Sequence, residues 1–193
     1  MRQKDFANAL SKTKVIMAVR NMDALDRALL SPGKILFVVS GTIASIDLGI
    51  EKAKRAGKFL FLHLDMIEGM ALTGVAIDYL KAKYAGDFGI ITTKNGVVKQ
   101  CYDEGIPVVK RVFALDSLSV DTIMEQREII RRADAVEIMP GYVPDVVRRF
   151  KKAFPNKPVI SGGLLEEKRE VLELFEAGSS AISTTCEELW EMT

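Results

Sequence analysis

Eight short apolar runs punctuate the chain: VIMAV from Val15, ILFVV from Ile35, FLFLHLD from Phe59, GIITT from Gly89, PVVKRVF from Pro107, AVEIM from Ala135, PVIS from Pro158 and AIST from Ala181. Most are rich in β-branched residues, which suit a buried pleated surface, and each begins about one strand, one loop and one helix after the last. Between them the apolar positions change to helical period. SIDLGIEKAKRAG, TIMEQREIIRRAD, VPDVVRRFKKAF and EEKREVLELFEAG gather residues such as Val171, Leu172, Leu174 and Phe175 on one side. AKRAG, CYDEG and LFEAG close helical runs with a glycine, which readily takes the left-handed conformation that stops a helix and turns the chain back to the sheet.

Strand alternating with helix predicts parallel strands joined by right-handed crossovers. Eight units predict a closed (β/α)8 TIM-type barrel as a single domain over residues 1–193, with residues 1–14 a short N-terminal helical extension. The chain is just under the usual lower size of about 200 residues for that fold, so some helices must be short. An open doubly wound sheet is the alternative. Composition narrows the function. With 27 basic and 26 acidic residues the formal charge is +1, so no whole-molecule field draws the protein to nucleic acid or an anionic membrane, and any anion site must be local. Cys101 and Cys186 stand far apart and His63 is the only histidine, which argues against a zinc site and a disulfide framework and fits a reducing cytoplasm. No metal or cofactor is expected. The longest charge-free run, Ile35 to Ile46, is too short to span a bilayer, and MRQKDFANALSKTK lacks the apolar region of a signal peptide.

In a parallel barrel the chemistry gathers at the C-terminal ends of the strands. There PVISGGL ends its strand in Ser161, Gly162 and Gly163, and AIST continues into Thr185. Loops after strands seven and eight commonly cradle phosphate with main-chain N–H groups and a helix N-terminus. Gly162, Gly163, Ser183 and Thr184 are therefore the candidate phosphate site, with Thr184 and Glu187 at capping-box spacing before a final helix CEELWEM. A tight turn is the plainer reading of the two glycines alone. His63 and Asp65 alternate with Leu62 and Leu64, so both polar side chains share a strand face, with Asp65 able to bind a hydroxyl or act as a base. A hydrogen-bonded core residue is the plainer reading of His63. Glu137 in AVEIM needs donors if buried, from Lys110, Arg111 or a ligand hydroxyl. Lys110 and Arg111 point to opposite faces of their strand, and the planar fork of Arg111 suits an anion better. Glu68, Lys94 and Asp116 complete the candidate rim. Arg148, Arg149, Lys151 and Lys152 form a basic helical run that could contact RNA, although such runs are usually just solvated, and Phe150 and Phe154 within it read as the helix's buried stripe.

FLHLDMIEGM, GIITTKNGVVKQ, VKRVFALDSLS, VEIMPG, VISGGL and AISTTCEELW, in that order between Val15 and Trp190, resemble the successive blocks of the glycerol-3-phosphate-responsive antiterminators. The resemblance implies a (β/α)8 barrel that binds glycerol 3-phosphate as effector, then binds an operon's leader mRNA and prevents premature termination, with no catalytic residues. By motif match it carries over Asp65, Glu68, Lys94, Arg111, Asp116, Glu137, Gly162, Gly163, Ser183 and Thr184. One departure is MALTGVAIDYL after IEG, more apolar than the family's usual continuation. An enzyme acting on a small phosphorylated polyol or sugar, with Asp65 or Glu137 as base, is the competing reading; a metabolite sensor acting through a homo-oligomer is a third.

Overall fold

The computed structural model describes residues 3–70 and 74–192. Strands β1 (Val15–Val19), β2 (Ile35–Val38), β3 (Phe59–His63), β4 (Gly89–Thr92), β5 (Val108–Phe113), β6 (Ala135–Met139), β7 (Val159–Gly162) and β8 (Ala181–Thr184) pair in parallel in chain order. β8 returns to pair with β1, which closes the barrel and excludes the open sheet. β5 and β7 start one residue after Pro107 and Pro158, because proline has no N–H to give a strand ladder.

Around the barrel lie α1 (Gln3–Leu10), α2 (Met22–Leu30), α3 (Ile43–Arg55), α4 (Gly74–Tyr84), α5 (Asn95–Glu104), α6 (Ser117–Glu125), α7 (Arg127–Arg132), α8 (Pro144–Ala153) and α9 (Lys168–Ala177). Gly105 and Gly178 stop α5 and α9 in the left-handed conformation, as the glycine endings predict. Two helical expectations are corrected. TIMEQREIIRRAD is broken at Gln126, whose ψ of 40° ends α6 and lets Ile129 and Ile130 of α7 bury separately. CEELWEM makes only a 3-10 turn over Glu187–Leu189, because the Trp190 indole N–H bonds back to the Thr184 carbonyl at 2.9 Å and holds the segment against the strand.

The N-terminal segment is part of the core. Phe6 and Leu10 of α1 join Ile16, Phe37, Phe61, Ile91, Val109 and Ile160 inside the barrel, and the Phe6 and Phe61 rings lie 4.5 Å apart. Room for the Phe61 ring comes from Gly89 on the neighbouring strand, where any Cβ would fall on that ring. A second apolar cluster fills the space between sheet and helices. With α1 packed into the N-terminal end, the C-terminal end is left for a site.

Candidate functional site

Strand alternation makes the site. Phe61, Val109, Ala135 and Ala181 point into the barrel, and two residues further along each strand the same face carries His63, Arg111, Glu137 and Ser183. A polar floor thus lies directly above the apolar layer. Arg111 and Glu137 stand opposite each other in the β5–β6 register, and Arg111 Nε donates to Glu137 Oε2 at 2.6 Å. Ser183 Oγ donates to the other carboxylate oxygen at 2.5 Å, and Arg111 Nη1 lies 3.0 Å from His63 Nδ1. Glu137 is fully buried and Arg111 is 7% exposed. Such a pair adds little net stability, yet removing one partner strands a buried charge at a cost of about 3–5 kcal/mol.

The guanidinium can only donate, so His63 Nδ1 accepts and Nε2 carries the hydrogen. That Nε2–H has no hydrogen-bond partner and sits 3.8 Å from Asp65 Oδ2. Burial, and then the Arg111 charge, lower the His63 pKa from 6.5 to about 4 against the pull of Asp65, so the ring is neutral near pH 7. His63 is accordingly a core histidine with one unsatisfied donor.

Asp65 lies in a 3-10 turn, Leu64–Met66, rather than on the strand, which ends at His63. Its oxygens accept from Thr92 Oγ1 at 2.8 Å and from Thr93 N and Oγ1 at 2.6 Å each. Burial alone would raise its pKa, but the Thr93 and Thr92 donors outweigh that and hold it below the ordinary carboxylate value. Lys110 points away from the barrel axis, as its place beside Arg111 predicts, and its Nζ donates to the Thr93 carbonyl. Lys94 is exposed at the start of α5, its main-chain N–H bonded to Thr92 Oγ1.

Gly162 pairs in register with Ser183, and a Cβ there would fall on Ser183 Oγ and lie 2.5 Å from Glu137 Oε1. The strand therefore ends in glycine first of all to let the Glu137–Ser183 bond form. Gly163 follows at φ +85° and Leu164 at φ +57°, turning the chain sharply at the rim with Leu164 82% exposed. The hydroxyls expected to meet phosphate are already engaged. Ser183 serves Glu137, while Thr184 Oγ1 donates to the Leu165 carbonyl at 2.8 Å and accepts from Cys186 N at 3.0 Å. Thr184 stays in β8, and Cys186, not Thr184, occupies the N-cap position of the final turn, without a side-chain capping bond.

Two rim candidates stand apart from this cluster. Asp116 is the exposed N-cap of α6, accepting from Ser119 N at 2.7 Å, and Glu68 is exposed on a two-residue strand paired with Gly41–Thr42. In the basic run, Arg148 pairs with Asp145 at 2.7 Å, Arg149 pairs with Asp121, and Lys151 Nζ binds the Pro155 and Lys157 carbonyls. Lys152 is exposed. Phe150 is fully buried with the Phe154 ring 4.8 Å away, the stripe expected of that helix. Sequence reasoning missed His63 as the partner of Arg111, and Thr92 and Thr93 as the holders of Asp65. The placement of His63 two residues beyond Phe61 was the available signal for the first.

Fold and floor together define a single-domain (β/α)8 barrel with its polar side chains converging at the C-terminal rim. Residues 15–190 match the sequence profile of the glycerol-3-phosphate responsive antiterminators, and the chain belongs to that family. Two solved relatives share its fold throughout. The glycerol uptake operon antiterminator regulatory protein of Listeria monocytogenes str. 4b F2365 is 25% identical at a TM-score of 0.84, covering 93% of this chain and 96% of the other. A glycerol uptake operon antiterminator-related protein of Thermotoga maritima MSB8 is 33% identical at a TM-score of 0.81, covering 93% and 99%. The uncharacterized protein YgcP of Escherichia coli K12 is 33% identical over 183 residues, 95% of this chain and 94% of its own. The family is regulatory by its description. Among the described residues no helix is long and apolar enough to cross a membrane.

Proposed function

We propose that this protein is an antiterminator whose effector, glycerol 3-phosphate, binds at the barrel mouth and favours binding of an operon's leader mRNA. One observation carries the reading: in a chain of this family, polar groups from β3, β5, β6 and β8 converge beneath the Gly162–Gly163 turn. Because the Ser183 and Thr184 hydroxyls are engaged and the Gly163 N–H donates to the Ser183 carbonyl at 3.4 Å, the phosphate is met by the main-chain N–H groups that follow Gly163 in the turn and by Lys94. The glycerol hydroxyls meet Asp65 and the unsatisfied His63 Nε2–H.

The same groups are poorly tuned for acid–base catalysis, which needs a pKa near the working pH. His63 titrates at about 4 with its accepting nitrogen occupied, and Asp65 is held low by three hydrogen bonds. This supports the regulator over an enzyme of phosphorylated polyols. The test is calorimetric titration with glycerol 3-phosphate, followed by binding of a glycerol-operon leader transcript with and without it. Tighter RNA binding in its presence is expected, by the factor of about 5 to 150 typical of allosteric pairs. An RNA affinity indifferent to the effector sinks the proposal, and saturable turnover of glycerol 3-phosphate restores the enzyme.

A further inference from the structure

At the opposite end of the barrel, α7 leads into β6 and the segment after α8 leads into β7. Between them runs an open groove of about 560 Å³ lined by Arg127, Arg131, Phe154, Pro155, Asn156 and Lys157. Arg127 and Arg131 are four residues apart on α7 and so share one of its faces. Both are exposed, and among the described residues neither makes an ion pair. The groove's acid, Glu128, is 3.1 Å from Arg132 and partly neutralised there. Lys157 Nζ bonds to the Arg131 and Ala133 carbonyls, so its charge is held at the groove by main-chain oxygens. The Arg127 guanidinium lies 5.5 Å from the centre of the Phe154 ring, a planar cation over an aromatic face.

We infer that this groove, rather than the outer face of α8, is where single-stranded RNA contacts the protein. The two arginines expected to serve RNA on α8 already have acid partners, Asp145 and Asp121. Arg127 and Arg131 keep their charge for an outside anion, with an apolar floor and a flat cation–aromatic surface beside them. That combination fits a strand whose bases are unpaired: phosphates meet the cations while a base stacks on the guanidinium or ring plane. Duplex nucleic acid offers the phosphates with its bases already stacked, so it gains only the charge contribution. The inference rests on the RNA-binding reading of the protein and adds the surface to it.

The experiment measures salt-dependent binding of a fluorescein-labelled, mixed-sequence 30-nucleotide single-stranded RNA to the full chain in saturating glycerol 3-phosphate. The chains compared are wild type, Arg127→Gln/Arg131→Gln, and Arg148→Gln/Arg149→Gln. Losing two phosphate contacts should flatten the log–log salt slope by about 1.4, at about 0.7 per contact for single strands, and weaken binding at least tenfold at low salt. The α8 variant should keep the wild-type slope and affinity. Glycerol 3-phosphate binding, measured in parallel, should be equal in all three chains and shows that each is folded. If the α7 variant retains the wild-type slope while wild type binds RNA, the groove is wrong and the regulator reading survives. If duplex DNA of equal length binds as well as the RNA, the groove is a general polyanion surface and the inference falls. If wild type binds no RNA at all, the RNA-binding reading fails first and the groove falls with it.

Discussion

His63 and Glu137 show how single residues at the floor tie stability to pH and to each other. Between pH 6.5 and about 4 the unfolded chain protonates this histidine and the folded chain does not. Stability is therefore expected to fall as pH drops through that window, by up to about 3 kcal/mol. Asp65 acts in a lower window: its pKa is depressed, so its contribution is present above 3.8 and is lost as pH falls further. Chemical denaturation of His63→Gln should lose the slope between pH 6.5 and 4 and keep the more acidic one; an unchanged upper slope assigns it to other groups. For the ion pair, Glu137→Leu should cost about 3–5 kcal/mol by leaving Arg111 unpaired in the interior, while Arg111→Met with Glu137→Leu should recover most of it. Equal losses in single and double variants would show that Arg111 finds water instead. At the rim, Gly163→Asp places a carboxylate on a φ of +85° beside Met139, so a modest loss of stability and complete loss of glycerol 3-phosphate binding are expected by calorimetry, with a native far-UV spectrum.

Among the secondary-structure elements, large and small residues on adjacent strands fix how the interior packs. Gly89 on β4 leaves space for Phe61 on β3, so Gly89→Ala should cost about 1–3 kcal/mol through overpacking, and Phe61→Leu in the same chain should offset part of it. Urea unfolding of the two variants measures this, and an additive double loss would mean the ring does not yield. α1 works in the same layer. Because Phe6 is fully buried against Phe61, Phe6→Ala should destabilise by about 3–5 kcal/mol, as a core cavity does and as a dispensable extension does not. The expectation of a short N-terminal helical extension leaves its packing open, because a helix's period records that one side is apolar, not which surface it meets.

For the whole molecule, the two proposed surfaces lie at opposite ends of the same strands. β6 begins beside the groove at Ala135 and carries Glu137 in the floor, while β7 begins after Lys157 and ends at Gly162 against that carboxylate. On the proposed function, effector and RNA change each other's affinity by the same factor, since coupling free energy is reciprocal. Titrating glycerol 3-phosphate with and without saturating leader RNA should give the ratio obtained from the converse experiment, and the Gly163→Asp chain should bind RNA only at the effector-free level. The effector should also raise the melting temperature, as stabilisation reaches about 2.7 kcal/mol at 100 times Kd.

What the sequence determined by itself was whatever its own periodicity records. Short continuous apolar runs marked eight strands and three-to-four apolar spacing the main helices, glycines marked several helix ends, and the ordered blocks marked the family. Residue chemistry also singled out Arg111, Glu137, Gly162 and Ser183, but not their arrangement. Arg111 lies 26 residues from Glu137 and 48 from His63, and Ser183 lies 46 from Glu137. Only the closure and register of the sheet make such distant positions neighbours, so the tertiary structure alone decided that the Ser183 hydroxyl turns to Glu137. It likewise decided that Asp121 of α6 pairs with Arg149 of α8, whereas the Asp145–Arg148 pair, three residues apart on one helix, is local, and that Arg127 and Arg131 make no ion pair among the described residues. Local spacing acts over one or two turns of chain, whereas charge pairing acts through space between elements the chain brings together only once it has folded.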